Sequence, residues 1–166
     1  MGTPTLISAA EYLHTSYENP EPDFVSGKIV RRAMPNNFHS EAVDALIAAF
    51  VIRAPKSLFR RPELRLRVAS ERYRVADLAV FDQRPVEAVP ERVPLVVIEV
   101  LSPDDSYADL MSRFADYAAI GVRHLWLVDP VSRGFSVYRD RSLLASSRLE
   151  LTEHSIVIEL SDIFPA

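Results

Sequence analysis

Two carboxylates stand where carboxylates are costly. Glu99 lies in the middle of "LVVIEVL", residues 95–101, an apolar run with the composition of a fully buried strand. Asp77 lies in "YRVADLAVF", residues 73–81, near the start of a second apolar run one strand earlier. An unpaired charge in such a setting costs several kcal/mol, roughly, or the group takes up a proton. If the two strands are neighbours, the acids repel, so one is protonated or a cation sits between them. Hard carboxylate oxygens in a site open to water suit Mg²⁺, Mn²⁺ or Ca²⁺. Spacing alone leaves the alternative open, that each acid is neutralised by an arginine for structural reasons.

The elements that must position these acids follow from periodicity. "LISAAEYLHTS" predicts a short helix, with Ser8 and Glu11 at capping-box spacing. "PDFVSGKIVRRAMP" predicts a hairpin turning at Ser26-Gly27. Asn37 is placed to cap a helix "HSEAVDALIAAFVIRA", with Val43, Leu46, Ile47, Phe50 and Val51 at helical spacing. After Pro55 the period changes to two in "LFRRPELRLRV", and the strand bearing Asp77 follows. The loop "QRPVEAVPERVP" leads to the strand of Glu99, and "SYADLMSRFADYAAIG" is an amphipathic helix ending at Gly121. "RHLWLVDP" and "GFSVYRD" are further strands, and "RLELTE" with "SIVIEL" makes a last hairpin before "SDIF". This order predicts a single α/β (α+β) domain over residues 1–166, with a crossover helix long enough to join two parallel strands.

Composition excludes several classes. There is no cysteine, so neither a disulfide framework nor a thiolate zinc site is possible. The start "MGTPTLISAA" lacks the pattern of a signal peptide, and no apolar run approaches the ~20 residues of a membrane span. The expectation is a cytoplasmic protein. The net charge of −4 argues weakly against a dedicated nucleic-acid binder. Of 19 basic residues only Lys28 and Lys56 are lysines, so chemistry that needs a lysine has two candidates.

The joint occurrence of "RVADLAV", "IEVLSP", "DYAAIGV" and "LWLVDP", in that order, resembles the Uma family, catalogued among restriction endonucleases and classed in the PD-(D/E)XK nuclease superfamily. The resemblance runs from "EYL" near residue 11 to "IELSDIF". It implies a restriction-endonuclease-like mixed sheet of about four or five strands flanked by helices, with a magnesium or manganese site where central strands meet. Asp77 and Glu99 match the superfamily's two acidic residues, and the backbone carbonyl of Val100 would complete the metal's protein ligands. Asp23 falls where an acidic residue usually precedes the glycine turn.

Two departures bear on activity. Ala76 replaces the proline before the Asp, a change in backbone restriction alone. The superfamily's basic residue usually stands two positions after the second acid, where this chain has Leu101; the family pattern moves it to the next helix, at Arg113. On a helical wheel Arg113 flanks the stripe of Leu110, Phe114 and Tyr117, from which it could lean toward the sheet, or pair with Asp109 or Asp116. The implied activity is metal-dependent endonucleolytic hydrolysis of DNA phosphodiesters, with a catalytically silent nuclease-fold module binding nucleic acid or a protein partner as the alternative.

Arginine stabilises charge but does not act as a base at neutral pH. His39, in the first turn of its helix, is a further candidate for the site. Arg65 and Arg67 alternate along one strand and are candidates for phosphate contact, beside the plain alternative of a solvated face. Trp126 is expected to be packing, and Asp129 before Pro130 a turn residue. A duplex has two strands to cut and symmetric pairs are the commonest oligomers, so a homodimer is expected.

Overall fold

The computed structural model describes residues 6–54, 56 and 58–164; residues 1–5, on which the N-terminal expectation rests, and Pro55 lie outside them. Ser8 caps α1 (Ala9–His14) by accepting the Glu11 N–H. β1 (Asp23–Val25) and β2 (Lys28–Val30) pair around Ser26 and Gly27, both at positive φ (49° and 82°), the geometry a tight two-residue hairpin requires. The cap of α2 (Asn37–Arg53) is Asn36, one residue before the expected Asn37: its side chain accepts the His39 N–H. The buried face of α2 is Ala42, Leu46, Ala49 and Phe50, while Val51 is exposed.

β3 (Phe59–Ala69) runs antiparallel to β4 (Arg72–Phe81), and β4 to β5 (Val96–Val100). Ser106 caps α3 (Tyr107–Ala119), which ends before Gly121 at φ +91° and returns the chain to β6 (His124–Asp129), parallel to β5 as the crossover length predicts. β7 (Gly134–Arg139) and β8 (Ser142–Ser146) continue antiparallel. A separate hairpin of β9 (Arg148–Leu151) and β10 (Ile156–Glu159) precedes the single turn α4 (Leu160–Ile163). The mixed α/β architecture agrees with the expectation, but the main sheet has eight strands rather than four or five: β2-β1-β4-β5-β6-β7-β8, with β3 also on β4. β8 is an additional strand, paired with β7 at the end of the sheet.

Helices cover both faces. Leu46 and Phe50 of α2 pack with Leu78, Val80, Ile98 and Trp126 in one cluster. Leu110, Phe114 and Tyr117 of α3 pack with Ala79, Phe81 and Val97 in the other. Trp126 is 1% exposed and stacks on Phe50 at 6.3 Å between ring centroids, which is the packing role expected of it. Asp129 accepts the N–H groups of Val131 and Ser132, as a turn residue does. Among the described residues no helix is long and apolar enough to cross a membrane.

Candidate active site

A strand has two edges, and β4 divides one of them between two partners. β3 pairs with β4 along its length, so β1 and β5 share the opposite edge. β1 meets it at Arg72 and Tyr73, β5 at Leu78 to Val80. Between them, residues 74–77 have no strand partner on that edge, and their buried backbone groups must be satisfied otherwise. Side chains do this. Asp23 accepts the Val75 N–H at 2.8 Å, and Arg113 Nη2 donates to the Val75 carbonyl at 2.9 Å. The carboxylate of Asp77 accepts the Val100 N–H at 2.8 Å, just where the β4–β5 ladder stops at Leu78 and Ile98. The split in the sheet thus creates a buried polar cleft with its own hydrogen-bond logic.

Asp77 and Glu99 are each 1% exposed and lie on these adjacent strands. Arg32 pairs with Asp77 Oδ1, and His39 Nε2 stands 3.3 Å from Asp77 Oδ2. On the other side, Tyr117 donates its hydroxyl to Glu99 Oε1 at 2.7 Å, and Arg113 Nη2 forms an ion pair with Glu99 Oε2. Nη2 also donates to the Val75 carbonyl, and Glu99 Oε2 receives its charge but no aligned donor. Burial alone would raise the pKa of Asp77, but His39 and the guanidiniums of Arg32 and Arg113 outweigh it and hold the carboxyl far below the usual range. Burial pushes Glu99 from 4.5 up to about 8, with Arg113 pulling back and the charge of Asp77 adding to the rise. One acid is therefore held ionised and the other near neutral.

This arrangement makes stability depend on pH. Glu99 of the unfolded chain loses its proton near 4.5, whereas the folded protein keeps it up to about 8. The stabilisation from this group is complete below the lower value and is lost as pH rises through the upper one, with a slope of at most ~1.4 kcal/mol per pH unit. We expect the melting temperature of the wild type to fall relative to that of Glu99→Gln between about pH 5 and about pH 8. A difference that stays flat would mean that Arg113 keeps Glu99 ionised throughout.

Several sequence expectations change here. Of the two placements open to Arg113, leaning toward the sheet or pairing with Asp109 or Asp116, the structure shows the first. Arg113 is 6% exposed and points inward, because Glu99 and the Val75 carbonyl together satisfy it better than water-facing acids could. Asp116 is taken by Arg72 and Arg74. Asp23 is in the cluster, but one oxygen is bound by Val75 and the other by Arg74 at 2.9 Å, which gives it a structural task. Arg65 does not face open solvent. It donates to the carbonyls of Tyr12, Leu13 and Thr15 at the end of α1, pairs with Glu21, and lies 4.5 Å from the ring centre of Tyr12. Unsatisfied carbonyls at a helix end are a strong attractor for a guanidinium. Arg67 is exposed. Arg32, Glu63 and Tyr117 were not singled out by sequence, and each reaches the site from an element whose placement only the fold reveals.

The donor set can be tested against a divalent ion. Among the described residues no group of three or more His, Asp or Glu side chains converges on one point. Mg²⁺ does not need one, since it is usually held by one or two carboxylates and completes its shell with water and substrate phosphate. Asp77 is held as a carboxylate and Glu99 Oε2 lacks an aligned donor. A cavity of about 10 Å³ beside Asp77 is walled by Asp77, Glu63, Val100 and Asp105 together with the cations Arg32 and Arg113. Hard oxygens of two strands beside a small polar cavity fit Mg²⁺ or Mn²⁺.

No curated protein matches this sequence. A crystal structure described as "a putative nuclease belonging to DUF820 from Anabaena variabilis ATCC 29413" is similar over 95% of this chain and 97% of its own, with a TM-score of 0.80 and 21% identity. That likeness concerns the fold. The family model Uma2, "Putative restriction endonuclease", matches residues 9–166, and the chain belongs to that family.

Proposed function

We propose that the protein is a metal-dependent endonuclease that hydrolyses phosphodiester bonds of DNA. The observation that carries this is the cleft at the split in the sheet, where Asp77 and Glu99 meet three buried basic side chains, Arg32, His39 and Arg113. Asp77, Glu99 and the backbone carbonyl of Val100 would hold Mg²⁺ or Mn²⁺. Such an ion, when bound, lowers the pKa of a water and neutralises charge on the phosphate. The residues of the chain do the rest. Tyr117 and Arg113 fix the orientation of Glu99 from α3, and the Val100 N–H fixes Asp77 from β5. Arg113 remains cationic throughout and can stabilise charge on a phosphate but not accept a proton from water. Arg67, exposed on β3, is available for backbone phosphates, whereas the donors of Arg65 are committed. A symmetric pair of chains would present two such clefts to the two strands of a duplex.

Supercoiled plasmid with Mg²⁺ or Mn²⁺ tests this. The expected result is relaxation of the plasmid that stops when the ion is chelated, and direct linearisation would point to two clefts acting together. Intact plasmid under both ions would overturn the proposal in favour of a silent nucleic-acid-binding module. That second reading has one observation behind it: both acids already have arginine partners.

A further inference from the structure

Arg32 reaches the cleft from irregular chain, residues 31–36 between β2 and α2, and its guanidinium joins two acids of different character. Nη2 holds Asp77, whose side chain is 2% exposed; Nη1 lies 3.0 Å from Oε2 of Glu63, whose side chain is 43% exposed. Glu63 itself is held unusually. It falls between the pairs Pro62–Leu78 and Leu64–Ala76, opposite Asp77 on β3, and has φ of 47°. A left-handed backbone at a non-glycine is strained and persists where the surroundings impose it. Local irregularities of this kind re-aim a side chain beside a site.

Charge balance then restricts what can enter. Asp77 and Glu99 together carry at most two negative charges, and Arg32 and Arg113 supply two positive ones. A divalent ion added to that set leaves a buried surplus, which is unfavourable unless a resident cation withdraws. Arg113 is anchored by Val75 and Glu99. Arg32 has a buried Nε without a partner and also lines a groove of about 660 Å³ with Tyr17, Asn19, Arg31 and Met34, which gives its side chain somewhere to go.

We propose that Arg32 is a displaceable counter-ion of Asp77: a divalent cation takes Asp77 as Arg32 gives it up, and Glu63 keeps the released guanidinium at the cleft. This rests on the metal-dependent nuclease reading, but it is tested without nucleic acid, by the binding of Mn²⁺ alone to the whole chain in a calorimetric titration. Removing the competitor in Arg32→Gln should tighten Mn²⁺ by about tenfold or more, the scale on which a neighbouring arginine biases a carboxylate. Glu63→Gln should act in the opposite sense, weakening Mn²⁺ severalfold, because Asp77 then becomes the only acid partner of Arg32. Circular dichroism checks that each variant folds, and Glu63→Gln alone decides the matter if Arg32→Gln does not fold, since the Asp77 pair is intact there.

Mn²⁺ affinity equal to that of the wild type in both variants, yet lost in Asp77→Asn, would overturn the exchange and leave the metal site standing. No Mn²⁺ bound by the wild type or by Arg32→Gln would overturn it as well. Plasmid relaxation reports separately on the nuclease reading.

Discussion

Asp77→Asn is expected to abolish the response to divalent ions and to lower plasmid cleavage by at least about a hundredfold, a loss that even outer partners of a metal ligand can reach. The substitution keeps the volume and leaves an amide oxygen that can still accept the Val100 N–H. It removes the negative charge that Arg32 and His39 face. Arg32 retains only Glu63, so we also expect a stability loss of roughly 1.5–3 kcal/mol, the range for hydrogen bonds to charged groups. The ion response separates the two effects. A ligand that binds only the native state at a hundred times its Kd stabilises by about 2.7 kcal/mol. The wild type should therefore melt higher as Mg²⁺ is added, and Asp77→Asn should not, whatever its starting stability. A mutant that gains as much as the wild type would place the ion elsewhere.

Asp77 and Glu99 could be found in the sequence because each puts a charge into an apolar run, and such a charge must be answered by something. Their being on neighbouring strands followed from chain order. What answers them was hidden for a physical reason. Arg32 lies 45 positions before Asp77 and reaches it only because β1 takes part of an edge of β4, leaving 74–77 open to side chains. Nothing in "KIVRRAMP" signals that.

Arg113 was judged from the periodicity of its own helix, which reports the apolar stripe but not the acid buried beneath it. Arg65 fitted an alternating solvent-facing pattern, yet the open carbonyls at the end of α1 captured it. The eighth strand of the sheet, "SLLAS", is half exposed at an edge and so lacks the apolar contrast that marked the other strands. Local patterns thus located the acids and most elements, while the cations around the acids depended on tertiary placement.

Arg113 links the fold to the chemistry, and its replacement should be felt in both. Its guanidinium is the cation against Glu99 and the donor to the unpaired Val75 carbonyl at the split in the sheet. Arg113→Ala leaves Glu99 with the Tyr117 hydroxyl alone and takes the side-chain donor from the buried Val75 carbonyl. A buried polar group left unsatisfied costs about 1–3 kcal/mol, and we expect a loss in that range by chemical denaturation. Glu99 then has every reason to stay protonated, since burial remains and the opposing charge is gone.

Arg113→Lys separates stability from catalysis. A lysine keeps the charge near Glu99 but cannot serve Glu99 and Val75 with the same planar fork. Stability should therefore fall by less than in the alanine variant, while plasmid cleavage should be retained or increased, because lysine keeps a cation beside Glu99 and, unlike arginine, can exchange a proton. The decisive comparison is cleavage at a temperature where both variants are fully folded. Arg113→Ala that cuts as fast as the wild type would confine Arg113 to a structural task, and cleavage by Arg113→Lys alone would identify the native chain as a nuclease silenced by one guanidinium.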